Sequence, residues 1–498
     1  MKFKYISLFA LLIGFLSCED AESPIPEEVA RPELTAGTAD FSNYVAIGAS
    51  FTAGFTDGAL FKASQENSFP NILYQQFAKL SGEDFKQPLM NDNIGGMLVN
   101  GTVQLQPRLF FNGSGPATLP ATPTTEALNN LSGTFNNLGV PGAKSFHLLF
   151  DGYGNPANLA LGLANPYYVR MATSPGATVL ADAMAQSPTF FTLSEIGGND
   201  VLGYATSGGD GSNPITDSGT FNASFNALVS SLTSNGAKGV VTNVPYITDL
   251  PHFTTVPHNP IPLDAATASF LNSMGAYGAY NAGVAQALAG LVQFGQITQE
   301  IADAELARRT INFEAGAGNA VVIMDESLID LTGLNPQLIS MRQATANDLL
   351  VLPASTFIGT EAVPGNPQTA NGVAIPLEDK WVLTPQEQQE IKTATDAYNE
   401  TIESLASSNE NIALVDLNAI LTEVASTGIN FDGFNLTANL VTGGAISLDG
   451  IHLNARGYAF MANKFLEAID ESFGSNFIES GNVAKASNYQ TNYSPTLQ

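Results

Sequence analysis

Apolar residues fall into two kinds of run along the chain. Short continuous runs bounded by Gly, Asn or Asp predict buried strands: Tyr44 to Ile47, Thr189 to Ile196, Gly239 to Val244, Ala320 to Met324 and Ile412 to Leu417. Between several of them the spacing changes to that of a helix. Thr384-Pro385-Gln386-Glu387 supplies a capping residue, a Pro at the first helical position and a Glu at the third. It opens a segment with Ile391, Tyr398, Ile402 and Leu405 on one face. Asn454 is the expected N-cap of a last helix that repeats apolar residues at Tyr458, Met461, Phe465, Ile469 and Phe473. Strands alternating with helices predict a parallel sheet covered on both faces.

Two stretches break this rhythm. Residues from about 57 to 130 are rich in Gly, Asn, Pro and Thr. Those from about 251 to 380 combine a helical piece, 265 to 304, with irregular sequence. Stretches of that length inside one domain are expected to be functional insertions or small subdomains. The globular part is expected over 40–475, and the polar residues 476–498 read as a weakly ordered tail.

The amino terminus has a different character. Met-Lys-Phe-Lys precedes an apolar run from Tyr5 to Leu16, as in a signal peptide over 1–17, too short to span a bilayer as a mature helix. Cys18, the only cysteine, follows Phe15-Leu16-Ser17, and this segment resembles a bacterial lipobox. The resemblance implies cleavage before Cys18 and lipidation of its thiol. Residues 18–39, rich in Pro, Glu and Ala, then read as an acidic tether. The acidic residues after Cys18 resemble the surface-export signal of Bacteroidetes-type lipoproteins, which implies an outer-membrane anchor without fixing the face.

Composition narrows the partners. The 498 residues carry 46 acidic and 18 basic side chains, a formal charge of -28. Such a field repels phosphate backbones, so nucleic acid is not an expected partner. A single cysteine excludes an intrachain disulfide.

The residues that carry chemistry lie beside the predicted strand and helix ends. Ser50 follows the first strand at its carboxyl end, where open α/β sheets bind ligands. His452 is one of four histidines. Neutral imidazole can take a hydroxyl proton near neutrality, and Asp449, three residues earlier, can accept its other N–H and fix the tautomer. Asn199-Asp200 follows the second run; Asn199 offers an uncharged amide donor, and Asp200 reads as a helix cap.

Four segments in this order, Ile47-Gly48-Ala49-Ser50-Phe51-Thr52-Ala53-Gly54, Asn137-Leu138-Gly139-Val140-Pro141-Gly142, Gly197-Gly198-Asn199-Asp200 and Asp449-Gly450-Ile451-His452, together resemble the sequence blocks of SGNH (GDSL-like) hydrolases. The resemblance implies a flavodoxin-like three-layer α/β/α fold. It implies a serine esterase or lipase that works through an acyl-enzyme, with Ser50 as nucleophile and His452 as base oriented by Asp449. The main-chain N–H groups of Ser50 and Gly139 and the side-chain amide of Asn199 would form the oxyanion hole. No metal or organic cofactor is implied. The departure is Ala49, where the family's name motif has Asp, with Phe51 in place of Leu. A carbohydrate O-deacetylase of the same superfamily, and a surface binding protein weakened by Ala49, are the alternative readings.

Other polar features fit a site less well. His252 and His258 lack the spacing of metal ligands, and His147 is expected to be packed or exposed. The Gly-rich turn after Glu314 lacks the context of a dinucleotide site. The acidic stretch Asp210 to Asp217 misses the EF-hand spacing.

Overall fold

Four of the five apolar runs do become strands of one sheet. In the computed structural model, which describes residues 31–81 and 84–498, β1 (Tyr44–Gly48), β2 (Asn137–Gly139), β3 (Phe190–Ser194), β4 (Lys238–Thr242) and β5 (Ile412–Val415) form a single sheet. The strands lie in the order β5-β4-β3-β1-β2, and every pairing is parallel. All residues of β1 and β3 are buried, which is why these runs are continuously apolar rather than alternating. The chain winds outward in one direction from β1 to β2 and in the other from β3 to β5. The crevice between the carboxyl ends of β1 and β3 is therefore the place where such sheets bind ligands.

Helices flank the sheet. A single turn, α1 (Ser50–Ala53), follows β1 directly, and α2 (Phe69–Phe77) packs against the last long helix of the chain. After β3 come α3 (Gly198–Thr206) and α4 (Ser218–Thr233). The second inserted region holds α5 (Tyr277–Gln293) and α6 (Gln299–Arg309). Then follow α7 (Pro385–Ser407), α8 (Leu417–Ser426) and α9 (Ala455–Phe473). Helix α7 packs on α4, α3 and β5, while α9 packs on α2 and β5. The caps read from the sequence are present. Thr384 and Glu387 close a capping box on α7, and the Asn454 side chain accepts the Gly457 N–H at 3.0 Å. Among the described residues no helix is long and apolar enough to cross a membrane.

Some expectations are corrected. Val322–Met324, within the run Ala320 to Met324, pairs antiparallel with Met341–Gln343 in a separate ribbon and not with the sheet. An apolar run states that a strand is buried, not what it pairs with. The place at the sheet edge goes to Asn137–Gly139, too short to stand out by periodicity. The expected helix over 265–304 is broken into Ala265–Leu271, α5 and α6. The stretch 57–130 is only partly an insertion, because α2 belongs to the layer that covers the sheet.

The first and last stretches of the described residues are also packed against the body. Residues 476–498, expected to be weakly ordered, bury Phe477, Ala486 and Tyr493. The fully buried Arg108 explains their order: its guanidinium donates to the carbonyls of Ser494 at 2.6 Å and Leu497 at 2.9 Å, and to Asn93 at 2.8 Å. A buried cation needs such acceptors, and the tail supplies them. Of the expected tether 18–39, its last residues are docked: Thr38 donates its N–H to the Phe473 carbonyl at 2.8 Å, and Ala39 is buried. Cys18 and the signal segment lie outside the described residues.

Candidate functional site

Ser50 is the first residue of the turn that leaves β1, and its side chain is nearly buried. It lines one cavity together with Asn199, from the first turn of α3, and His452, from the loop ahead of α9. The geometry of that loop follows from Asp449. Its Oδ1 accepts the N–H groups of Ile451 and His452 at 2.8 and 2.9 Å and the Ser447 hydroxyl at 3.0 Å. Its Oδ2 lies 2.8 Å from His452 Nδ1. The carboxylate thus folds the Asp-Gly-Ile-His turn around itself, so one residue both builds the loop and holds the imidazole. With Nδ1 engaged, Nε2 is the nitrogen left to take up a proton.

Burial alone would push the Asp449 carboxyl up. The His452 imidazole beside it and the main-chain donors outweigh burial and hold it well below the usual carboxylate range. Phe51 and Phe55 pack around the imidazole, with ring centroids at 5.9 and 4.6 Å.

Asn199 donates from Nδ2 to the Ala143 carbonyl at 3.0 Å. That bond ties α3 to the loop after β2 and leaves the amide a second N–H. Asp200 does not cap its own helix, whose N-cap is Gly197; its buried carboxylate accepts the Ser145 N–H and hydroxyl at 2.8 and 2.7 Å. The helix-cap role expected for Asp200 is thereby corrected: it anchors the neighbouring loop instead.

Gly139 is placed differently from the expectation. Its N–H donates to the side chain of Asn137 at 3.0 Å, and it does not line the cavity. A Cβ at 139 would lie 2.2 Å from the Ala53 nitrogen, so this glycine lets β2 pass against α1. Three residues on, Gly142 has a φ of +81°, faces open space and, among the described residues, gives its N–H to no protein acceptor. Gly142 immediately precedes Ala143, the residue that Asn199 holds. Of the two glycines in this segment, Gly142 is the one whose main-chain N–H has no protein acceptor among the described residues, and it is next in sequence to the residue that Asn199 holds. The spacing of the block contained both residues, but nothing in the sequence separated a packing glycine from a donor glycine.

Two supports had no sequence signal. Glu195, with a left-handed φ of +55° and 7% exposure, reaches beneath the Ser50 turn. Its carboxylate oxygens accept the Phe51 N–H at 2.7 and 2.8 Å, while Ala49 is wholly buried and provides no side-chain cap. Asp57 and Gly58 open the first stretch of irregular sequence. Leu448 donates its N–H to Asp57 at 3.0 Å, and Gly58 donates its own to Asp449 at 2.8 Å. The start of that stretch therefore braces the loop of the imidazole.

Two of the three remaining histidines, His147 and His252, have structural surroundings. His147 stacks on Tyr153 and accepts the Lys144 N–H; burial, with Lys144 adding to it, pushes its imidazole down to about 4. His252 is buried behind the Asp449 turn, and its main-chain N–H donates to Gly450 at 3.0 Å.

The wall of the cavity is apolar beyond Ser50, Glu195, Asn199, His452 and a rim lysine, Lys464. Leu417, Ile420, Leu421 and Val424 of α8 face Phe460 and Met461 of α9 across it. No protein-family model, curated protein or solved structure matches this chain.

Proposed function

We propose that this chain is a serine hydrolase of carboxylic esters, built on the SGNH pattern and working through an acyl-enzyme. The observation that carries the reading is the meeting of Ser50, the Asp449-held imidazole of His452 and the Asn199 amide on one apolar cavity. His452 Nε2 takes the Ser50 hydroxyl proton as Oγ attacks the ester carbonyl, and returns it to the leaving alkoxide. Water then repeats the attack on the acyl-serine, with His452 again as base. The carbonyl oxygen becomes an oxyanion, for which Asn199 Nδ2 and the main-chain N–H groups of Ser50 and Gly142 are the donors at hand. Glu195 answers the departure at Ala49: the turn of the nucleophile is capped from the residue that follows β3 rather than from its own loop.

The leucine-rich wall between α8 and α9 favours an apolar acyl or alkyl group over a sugar, whose hydroxyls would find few partners there. An exported protein anchored through Cys18, acting on lipid esters at the outer membrane, is the setting that the amino-terminal sequence supports. The test is direct. A fluorophosphonate probe should label the wild-type chain on Ser50 and leave Ser50→Ala unlabelled. p-Nitrophenyl palmitate should be cleaved faster than the acetate. Absence of labelling, with hydrolysis no faster than in Ser50→Ala, would sink the hydrolase reading in favour of a binding protein; cleavage of acetate alone would favour the carbohydrate deacetylase.

A further inference from the structure

Away from the cavity, three carboxylates converge where the second inserted region meets the helical layer. Glu326, Asp379 and Glu387 each offer an oxygen, and the three oxygens lie within 4.8 Å of one another. Among the described residues no Lys or Arg forms an ion pair with any of them. Glu387 is only 2% exposed. Its Oε2 accepts the N–H and hydroxyl of Thr384 at 2.6 and 2.9 Å, which closes the cap of α7. Its Oε1 is buried without any protein donor, and the same is true of Asp379 Oδ1. The chain also comes close over that oxygen: a Cβ on Gly209 would lie 2.3 Å from Glu387 Oε1.

Buried carboxyl oxygens without donors, in a group with no ion-pair partner, are costly when ionised unless something positive sits between them. Hydrogen bonds already account for Oε2, so the orphaned Oε1 is a separate observation from the clustering itself. The donor set is all oxygen, which suits a hard cation and not zinc. Three carboxylates presented by separate segments suit Ca²⁺, which accepts oxygens in flexible geometry at about 2.3–2.6 Å, better than Mg²⁺, which demands a near-ideal octahedron and keeps most of its waters.

We propose that Glu326, Asp379 and Glu387 form a Ca²⁺ site that joins the second inserted region to the amino-terminal turn of α7. Glu326 comes from the inserted ribbon, Glu387 from α7, and the overlying Gly208-Gly209 from the turn just after α3, the helix whose first turn carries Asn199. The ion would thereby pin the insertion to the helix that carries a donor of the candidate site. This inference is independent of the ester-hydrolase reading.

The test uses the full chain, stripped with EDTA and titrated with CaCl₂ or MgCl₂ at pH 7.5 by calorimetry, with melting followed in parallel. Wild type should bind one Ca²⁺ per chain more tightly than Mg²⁺ and melt several degrees higher when loaded. Glu326→Gln, at an exposed position, should weaken Ca²⁺ binding by about tenfold or more. Glu326→Gln/Asp379→Asn should lose the site and, freed of like-charge repulsion, melt higher than stripped wild type in EDTA. Absence of Ca²⁺ binding by wild type would overturn the proposal. So would an equal response in the double variant, which would mark diffuse binding to surface acids. A gain in wild-type stability on lowering the pH with no response to Ca²⁺ would assign the cluster to a shared proton and overturn it as well.

Discussion

Glu195 accepts the N–H of Phe51 on both of its carboxylate oxygens, and so holds the turn that presents Ser50 from just beyond the neighbouring strand. Burial pushes this carboxyl up to about 8 against the pull of the Phe51, Thr52 and Ala49 amides. Glu195→Ala should therefore displace Ser50 and lower kcat by about 10²-fold, the scale of a 1 Å misplacement. Glu195→Gln should retain more activity, since it can still accept the Phe51 N–H. The pH dependence carries a sign. The folded chain keeps a proton that the unfolded chain releases above an ordinary 4.5. The stability due to this proton is full below about pH 4.5 and is lost as pH rises through about 8. Urea unfolding between pH 5 and 9 should show that decline in wild type and less of it in Glu195→Gln.

Asp449 has the opposite sign. Its carboxyl is held below the usual range, so the stability it contributes is present above the ordinary 3.8 and is lost as pH falls further. Asp449→Asn should lower kcat by about 10³–10⁴-fold through the wrong imidazole tautomer, with KM little changed. It should also flatten the acid limb of an unfolding profile. A variant with wild-type kcat would remove Asp449 from the catalytic set.

Asn199 and Gly139 should separate chemistry from packing. Asn199→Ala is expected to lower kcat by about 10²–10³-fold, the loss of one oxyanion donor. Gly139→Ala drives a methyl group into the Ala53 backbone, so its effect should be a lowered melting temperature. Steady-state kinetics beside melting curves of both variants distinguish the two; a Gly139→Ala protein that melts normally but turns over slowly would restore Gly139 as a donor.

The wall between α8 and α9 should set chain-length preference. Leu421→Trp fills the space that an acyl chain would occupy. The ratio of palmitate to acetate hydrolysis should fall by about tenfold or more, the scale of a lost hydrophobic subsite. An unchanged ratio would place the chain elsewhere.

The parts legible in the sequence are those that local pattern dictates. Tyr44 to Ile47 had to be a buried strand because no residue in it tolerates water, and Asp449-Gly-Ile-His452 could close on itself without help from the rest of the fold. What could not be read depends on contacts between distant positions. Glu195 looks like any residue after a strand until Phe51 is placed above it. Val322–Met324 is as apolar as β4, yet it pairs with Met341–Gln343, a choice fixed by the chain between them. Arg108 is one cation in a loop until the tail is laid across it.

That last contact has a consequence for how the chain reaches its native state. Arg108 finds its acceptors on Ser494 and Leu497, and Gly58 meets Asp449 across 391 positions. A chain made from its amino terminus therefore cannot complete its Ser50 neighbourhood before Asp449 has been made, nor its Arg108 pocket before Ser494 and Leu497. Closure at such separation is slow, and it keeps the growing chain loose for as long as it is being synthesised.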